Sequence, residues 1–113
     1  MATQQTAFDL CGPVSRELYR ELTARIGTVG KFAEEVKKTS IHLVRKTAFA
    51  GVAPRKEYLL LTIKRDKPLK SKRVLKSEQT SRSRWHVEVR VSTADDIDAE
   101  LLGWIREAYE LSA

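Results

Sequence analysis

Between Arg84 and Val91 the chain alternates without a break. Trp85, Val87, Val89 and Val91 are apolar, while Arg84, His86, Glu88 and Arg90 between them are polar or charged. A period of two belongs to a strand, whose side chains point in turn to opposite faces. With Ser83 included, residues 83–91 read as the clearest strand in the chain, valine face to the core. A fold for this sequence must give that strand neighbours and its valine face a cover.

The neighbours are legible. Residues 57–65, EYLLLTIKR, make a second firm strand, with Leu59, Leu61 and Ile63 on one face and Tyr58, Leu60, Thr62 and Lys64 on the other. Residues 41–45 set Ile41 and Leu43 against His42 and Val44. A short strand over 48–52 ends at Pro54. Residues 32–37 suit either a helical turn, with Phe32 and Val36 four apart, or a weak strand. Val74 and Leu75 mark a short edge strand over 73–77, and the following SEQTSRSR reads as a mobile loop.

The cover comes from two amphipathic helices. Pro13 opens the first at a position that needs no N–H, and Val14, Leu18, Leu22 and Ile26 form its apolar stripe, with Tyr19 beside it. Gly27 and Gly30 stop it. The second is expected over 94–111, capped by Thr93, with Ile97, Leu101, Trp104, Ile105 and Ala108 as its stripe. The expected fold is α+β: one antiparallel sheet of four to five strands, with an N-terminal and a C-terminal helix packed on it. A length of 113 residues, 42% hydrophobic, suits a single domain over 1–113. Residues 1–12 are expected to be loosely ordered, and 66–82 to form an exposed basic connection.

Other classes recede. One cysteine, Cys11, allows no internal disulfide and no cysteine cluster for zinc. The N-terminus lacks a secretory pattern and the most apolar run, 58–63, is far too short to span a bilayer. A cytoplasmic protein without membrane contact is expected.

Charge is concentrated. Residues 64–84, KRDKPLKSKRVLKSEQTSRSR, carry Lys64, Arg65, Lys67, Lys70, Lys72, Arg73, Lys76, Arg82 and Arg84 against Asp66 and Glu78. That local excess exceeds the whole chain's net charge of +6. Charge runs of this kind often serve only solubility. Their segregation here also suits phosphate contact without base readout, since no helix-turn-helix, zinc-finger or RNP pattern accompanies them.

Four patterns carry a family resemblance. Lys38, Thr39 and Ile41 open a strand; Pro54 and Lys56 precede an aliphatic one. Trp85 and His86 lead into Val87 and Val89. Asp98, Glu100, Leu101, Leu102, Ile105, Ala108 and Tyr109 form the last motif. Together, over residues 30–109, they resemble the bacterial DUF5655 family, a small domain of unknown function. The motifs are mostly core positions, so the resemblance implies a fold and no catalytic residue.

Candidate chemistry is sparse. His42, Tyr58 and His86 fall on the non-core phase of their strands and could share a groove; with Glu88, the histidines could also meet a metal, although ordinary surface histidines explain them as well. Cys11 reads as a partly buried, inert thiol. Asp95, Asp96, Asp98 and Glu100 read as helix-cap residues rather than a cation site. No catalytic residue, metal or cofactor is assigned. Val44, Tyr58 and Leu60 make the second sheet face unusually apolar, and one of the protein's own helices is the expected cover. The functional expectation is a non-enzymatic binding domain that contacts nucleic acid or another polyanion through the basic segment. The alternatives are a protein-interaction or homo-oligomerisation module using the apolar face or an edge strand, and a small-ligand or metal-dependent enzyme.

Overall fold

The computed structural model describes residues 6–113. Its elements are helix α1 (Pro13–Ile26), strands β1 (Ala33–Val36), β2 (Ile41–Val44), β3 (Ala48–Pro54), β4 (Leu59–Arg65), β5 (Val74–Ser81) and β6 (Arg84–Val91), and helix α2 (Ala99–Leu111). Single 3-10 turns at Ala7–Leu10 and Ala94–Asp96 precede the two helices. The strands form one antiparallel sheet in the order β1-β2-β3-β4-β6-β5.

Six strands replace the expected four to five. The ambiguous segment around Phe32 resolves as strand β1, because its backbone pairs with β2 from Ala33↔Val44 to Val36↔Ile41. Phe32 still packs inward, edge-on to Phe49 at 6.1 Å. The serine-rich segment is mostly strand as well. β5 extends to Ser81 along β6, although all its residues except Val74 are exposed. Backbone pairing holds it where side-chain pattern gave no strand signal.

The core lies on one face of the sheet. Ile41, Leu43, Val52, Leu59, Leu61, Ile63, Val89 and Val91 are fully buried there against Leu18, Leu22 and Ile26 of α1 and Leu101 and Ile105 of α2. Each such aliphatic burial contributes about 1.5–3 kcal/mol. Both helices therefore cover the same face. The expectation that one of them shields the second face fails, because each helix has one apolar stripe and spends it on the valine and leucine face.

Two helix details differ from expectation. Val14 is 49% exposed, while Ser15 and Tyr19 are buried beside Leu18, Leu22 and Ile26. A strict four-residue repeat drifts by about 40° per step on a helix of 3.6 residues per turn, so Val14 rotates off the buried stripe. The C-terminal helix starts at Ala99, capped by Asp98, whose carboxylate accepts from the Leu101 N–H at 2.9 Å. Upstream, the Asp96 carboxylate accepts from the N–H groups of Ser92 and Thr93 and closes a separate turn. Within 1–12, residues 1–5 lie outside the described residues. Ala7 is fully buried, and its N–H donates to the Lys37 carbonyl at 2.9 Å.

Candidate functional site

The uncovered face of the sheet is built by register. Gly51 pairs with His42 on one side and Thr62 on the other, and Thr62 pairs with Glu88. One step along, Lys64 pairs with His86 and His86 with Glu78. Because alternate residues share a face, His42, Gly51, Thr62, Lys64 and His86 all look away from the core. On β3 this face carries only Ala48, Gly51 and Ala53. Such small residues leave a trough of about 250 Å³, walled by His42 on one side and Thr62, Lys64 and His86 on the other.

The two histidines thus line one trough. Tyr58 does not line it; its ring lies farther along the same face under the Arg90 guanidinium, 4.5 Å from the ring centroid. Among the described residues, no three His, Cys, Asp or Glu side chains come together as a metal set.

Lys64 closes one end of the trough. Its Nζ donates to Thr47 Oγ1 at 3.1 Å and to Ser112 Oγ at 2.9 Å. Burial, and then the nearby positive charge of Arg84, lower its pKa from the ordinary 10.5. Neither Lys64 nor Arg84 pairs with a carboxylate among the described residues.

The sheet divides the basic segment. Lys64, Lys76 and Arg84 stand on the uncovered face, at positions paired or in phase with Thr62, Glu88 and His86. Arg65 points to the core face, 5% exposed, with Nη1 3.0 Å from the Glu107 carboxylate. Arg73 lies against the start of α2. It donates to Asp98 at 3.0 Å, to Glu100 at 3.2 Å and to the Asp96 carbonyl, and its guanidinium is 5.5 Å from the Trp104 ring centroid. Burial works against the charge on Arg73, but Asp98 and Glu100 more than offset it, so its pKa is raised. Arg65 and Arg73 therefore make their guanidinium contacts within the fold. Lys76 pairs with Glu78 at 3.5 Å, both side chains exposed. Lys67, Lys70 and Lys72 are exposed in the connection from β4 to β5, and Arg82 is exposed in the β5–β6 turn.

The acidic run behaves as capping chemistry: Asp96 and Asp98 cap, and Asp98 with Glu100 anchors Arg73. Cys11 is partly buried, with Sγ 4.0 Å from the Ala7 carbonyl. A second groove, lined by Val14, Leu18 and Ala94 between Glu17 and Thr93, contains none of the sequence candidates. Sequence reasoning missed Gly51 and Thr62. The signal was the small-residue run of β3, a glycine and three alanines in a paired strand, which reads as weakness unless the space above it is used.

No described helix is long and apolar enough to cross a membrane. Neither a curated protein nor a solved structure matches the chain. The family model for the domain of unknown function DUF5655 matches residues 9–112, which takes in α1 as well as the sheet and α2, and the chain belongs to that family.

Proposed function

We propose that this domain is a non-enzymatic binding module for a phosphate-rich partner such as nucleic acid, and that the partner lies on the uncovered sheet face at its Lys64–Arg84 end. The observation that carries the reading is the pair itself. Lys64 lines the trough, Arg84 follows in phase on the same face beyond His86, and among the described residues neither pairs with a carboxylate. Phosphate oxygens would relieve the repulsion between them and accept charge-assisted hydrogen bonds. Arg82 and His86 extend the same end of the sheet. Lys67, Lys70 and Lys72 add long-range attraction from the connection, where their side chains are exposed.

Anisotropy titrations of labelled single-stranded and duplex oligonucleotides test this. If about four phosphates are engaged, log affinity for duplex falls against log salt with a slope of about −3.6, at about 0.9 per phosphate. Lys64→Ala with Arg84→Ala should weaken binding more than Lys70→Ala with Lys72→Ala. Binding that ignores salt overturns the proposal.

A second reading has one observation in its favour. β5 is an exposed edge strand with Leu75 53% exposed, a place where another chain could add a strand. Its register shifts at Val74/Lys76 and Gln79/Ser81, and its outward Lys76, are features that discourage edge pairing. A concentration-dependent dimer in sedimentation, lost on Leu75→Lys, would favour it over the phosphate reading.

A further inference from the structure

We infer that the trough over Gly51 is a subsite for a phosphate ester carrying a flat ring, with the ring on the β3 floor and the phosphate toward Lys64. The inference deepens the phosphate reading and rests on it for the anionic half of the ligand.

The argument begins with Gly51. It sits inside β3 with β2 and β4 paired on either side. A glycine there weakens the sheet, because it loses more backbone freedom and packs no side chain. The usual reasons for a strand glycine are missing. No described residue has a positive φ. A Cβ on Gly51 would meet only His42 Cδ2, at an ordinary 3.9 Å. The irregularity between β2 and β3 falls at Leu43/Val44, not at Gly51. What the absent side chain leaves is the space of the trough, and Ala48 and Ala53 keep that space open at both ends.

The shape and chemistry of this space select a ligand. Its floor is peptide and methyl surface, flat and apolar, between the imidazoles of His42 and His86. A ring face laid on such a surface buries apolar area without any specific ring contact. Its volume of about 250 Å³ is below the roughly 300–1,000 Å³ of drug-sized sites, so it suits one ring and its head group. At the Lys64 end two hydroxyls fix the ammonium without neutralising it. Lys64 pairs with His86, and Arg84 lies two residues from His86 along the same strand, in phase on the same face. A phosphate at that end would face the Lys64 ammonium, with Arg84 as the next cation on that face. A free phosphate ester and one nucleotide of a strand present the same chemistry.

Amide shifts of the labelled full chain, titrated with phenyl phosphate, a nucleoside monophosphate, inorganic phosphate and a short single-stranded oligonucleotide, decide it. Phenyl phosphate should shift Gly51 and Thr62 and bind about tenfold more tightly than inorganic phosphate. Gly51→Val should remain folded with a raised Tm, since a β-branched residue suits a paired strand, and should weaken phenyl phosphate by about tenfold. Gly51→Ala, a smaller intrusion, should weaken it by less. Lys64→Gln should weaken phenyl and inorganic phosphate alike. A monophosphate that binds as well as the oligonucleotide assigns the site to free esters; a tighter oligonucleotide assigns it to a strand. Equal binding of phenyl and inorganic phosphate, or undiminished phenyl phosphate binding in both folded Gly51 variants, overturns the subsite. The broader phosphate reading then stands or falls separately, on whether oligonucleotide affinity depends on salt and on Lys64 with Arg84.

Discussion

Lys64 Nζ stands 2.9 Å from Ser112 Oγ, joining the uncovered face of the sheet to the residue that follows α2. Ser112 is itself buried, and its hydroxyl also reaches the Ala48 carbonyl at 3.4 Å. The Lys46 N–H donates to the Ser112 carbonyl at 3.1 Å. The end of α2, the β2–β3 turn and Lys64 on β4 thus share one small hydrogen-bonded junction. A cation held there by neutral groups is well positioned for an anion and poorly solvated without one.

That junction has a pH signature. Burial, then Arg84, lower the Lys64 pKa below 10.5, so the unfolded chain holds this proton more tightly than the folded one. Stability contributed by this group therefore rises as pH climbs from the folded pKa toward 10.5. In Lys64→Met that contribution is gone. The stability difference between wild type and Lys64→Met, measured by urea unfolding, should move in favour of wild type as the pH is raised through that window. A difference that stays constant with pH would refute the assignment.

The anchor at Arg73 has its pH response at the acid end instead, with the same sign. The Leu101 N–H, opposed by burial, and then Arg73 hold the Asp98 carboxyl below its ordinary 3.8. A depressed carboxyl stabilises the fold above the unfolded pKa, and the gain is lost as pH falls below 3.8 through the folded value. Asp98→Ala removes a cap and should cost about 1 kcal/mol. Arg73→Ala should cost about 1–2 kcal/mol, a modest figure because Asp98 and Glu100 are half exposed. Both losses should shrink in acid-range urea titrations below 3.8. Losses that persist unchanged there would mean the anchor acts through packing on Trp104 instead.

Much of this architecture was legible before any coordinates. The period-two runs of β4 and β6 fix both the strands and which face is buried, since a one-residue slip would turn Val87, Val89 and Val91 to water. β1 and β5 were harder to read because edge strands gain their order from backbone pairing, which leaves little trace in side-chain pattern. Ala33, Glu34, Glu35 and Val36 are all exposed, so nothing enforces an alternation there.

The site was legible only in part. His42 and His86 could be put on the non-core phase, but their meeting in one trough depends on β3 and β4 lying between them in register. The basic segment read as uniform charge, because sequence cannot tell a guanidinium that anchors a helix from one that waits for a ligand. Arg65 falls on the core phase of β4, after Leu59, Leu61 and Ile63, and that phase was the available clue to its burial.

Arg65 offers the sharpest test of that distinction. Its side chain is 5% exposed, and it opposes Trp85 at the end of the core face. Its Nη1 approaches Glu107 at 3.0 Å, but off the line of a hydrogen bond, and Nε meets no acceptor among the described residues. A buried guanidinium with one poorly aligned counter-ion gains little from its charge, so an apolar side chain of similar length can replace it at no loss. Arg65→Met should therefore match or exceed wild-type stability in urea unfolding and leave oligonucleotide affinity unchanged. Glu107→Ala leaves the buried charge alone and should cost about 1–3 kcal/mol, less than for a fully buried pair because Glu107 is half exposed. The double variant, Arg65→Met with Glu107→Ala, should recover most of that cost. An Arg65→Met protein that folds normally yet loses oligonucleotide binding would place this guanidinium among the partner's contacts, and would require the core face to open there.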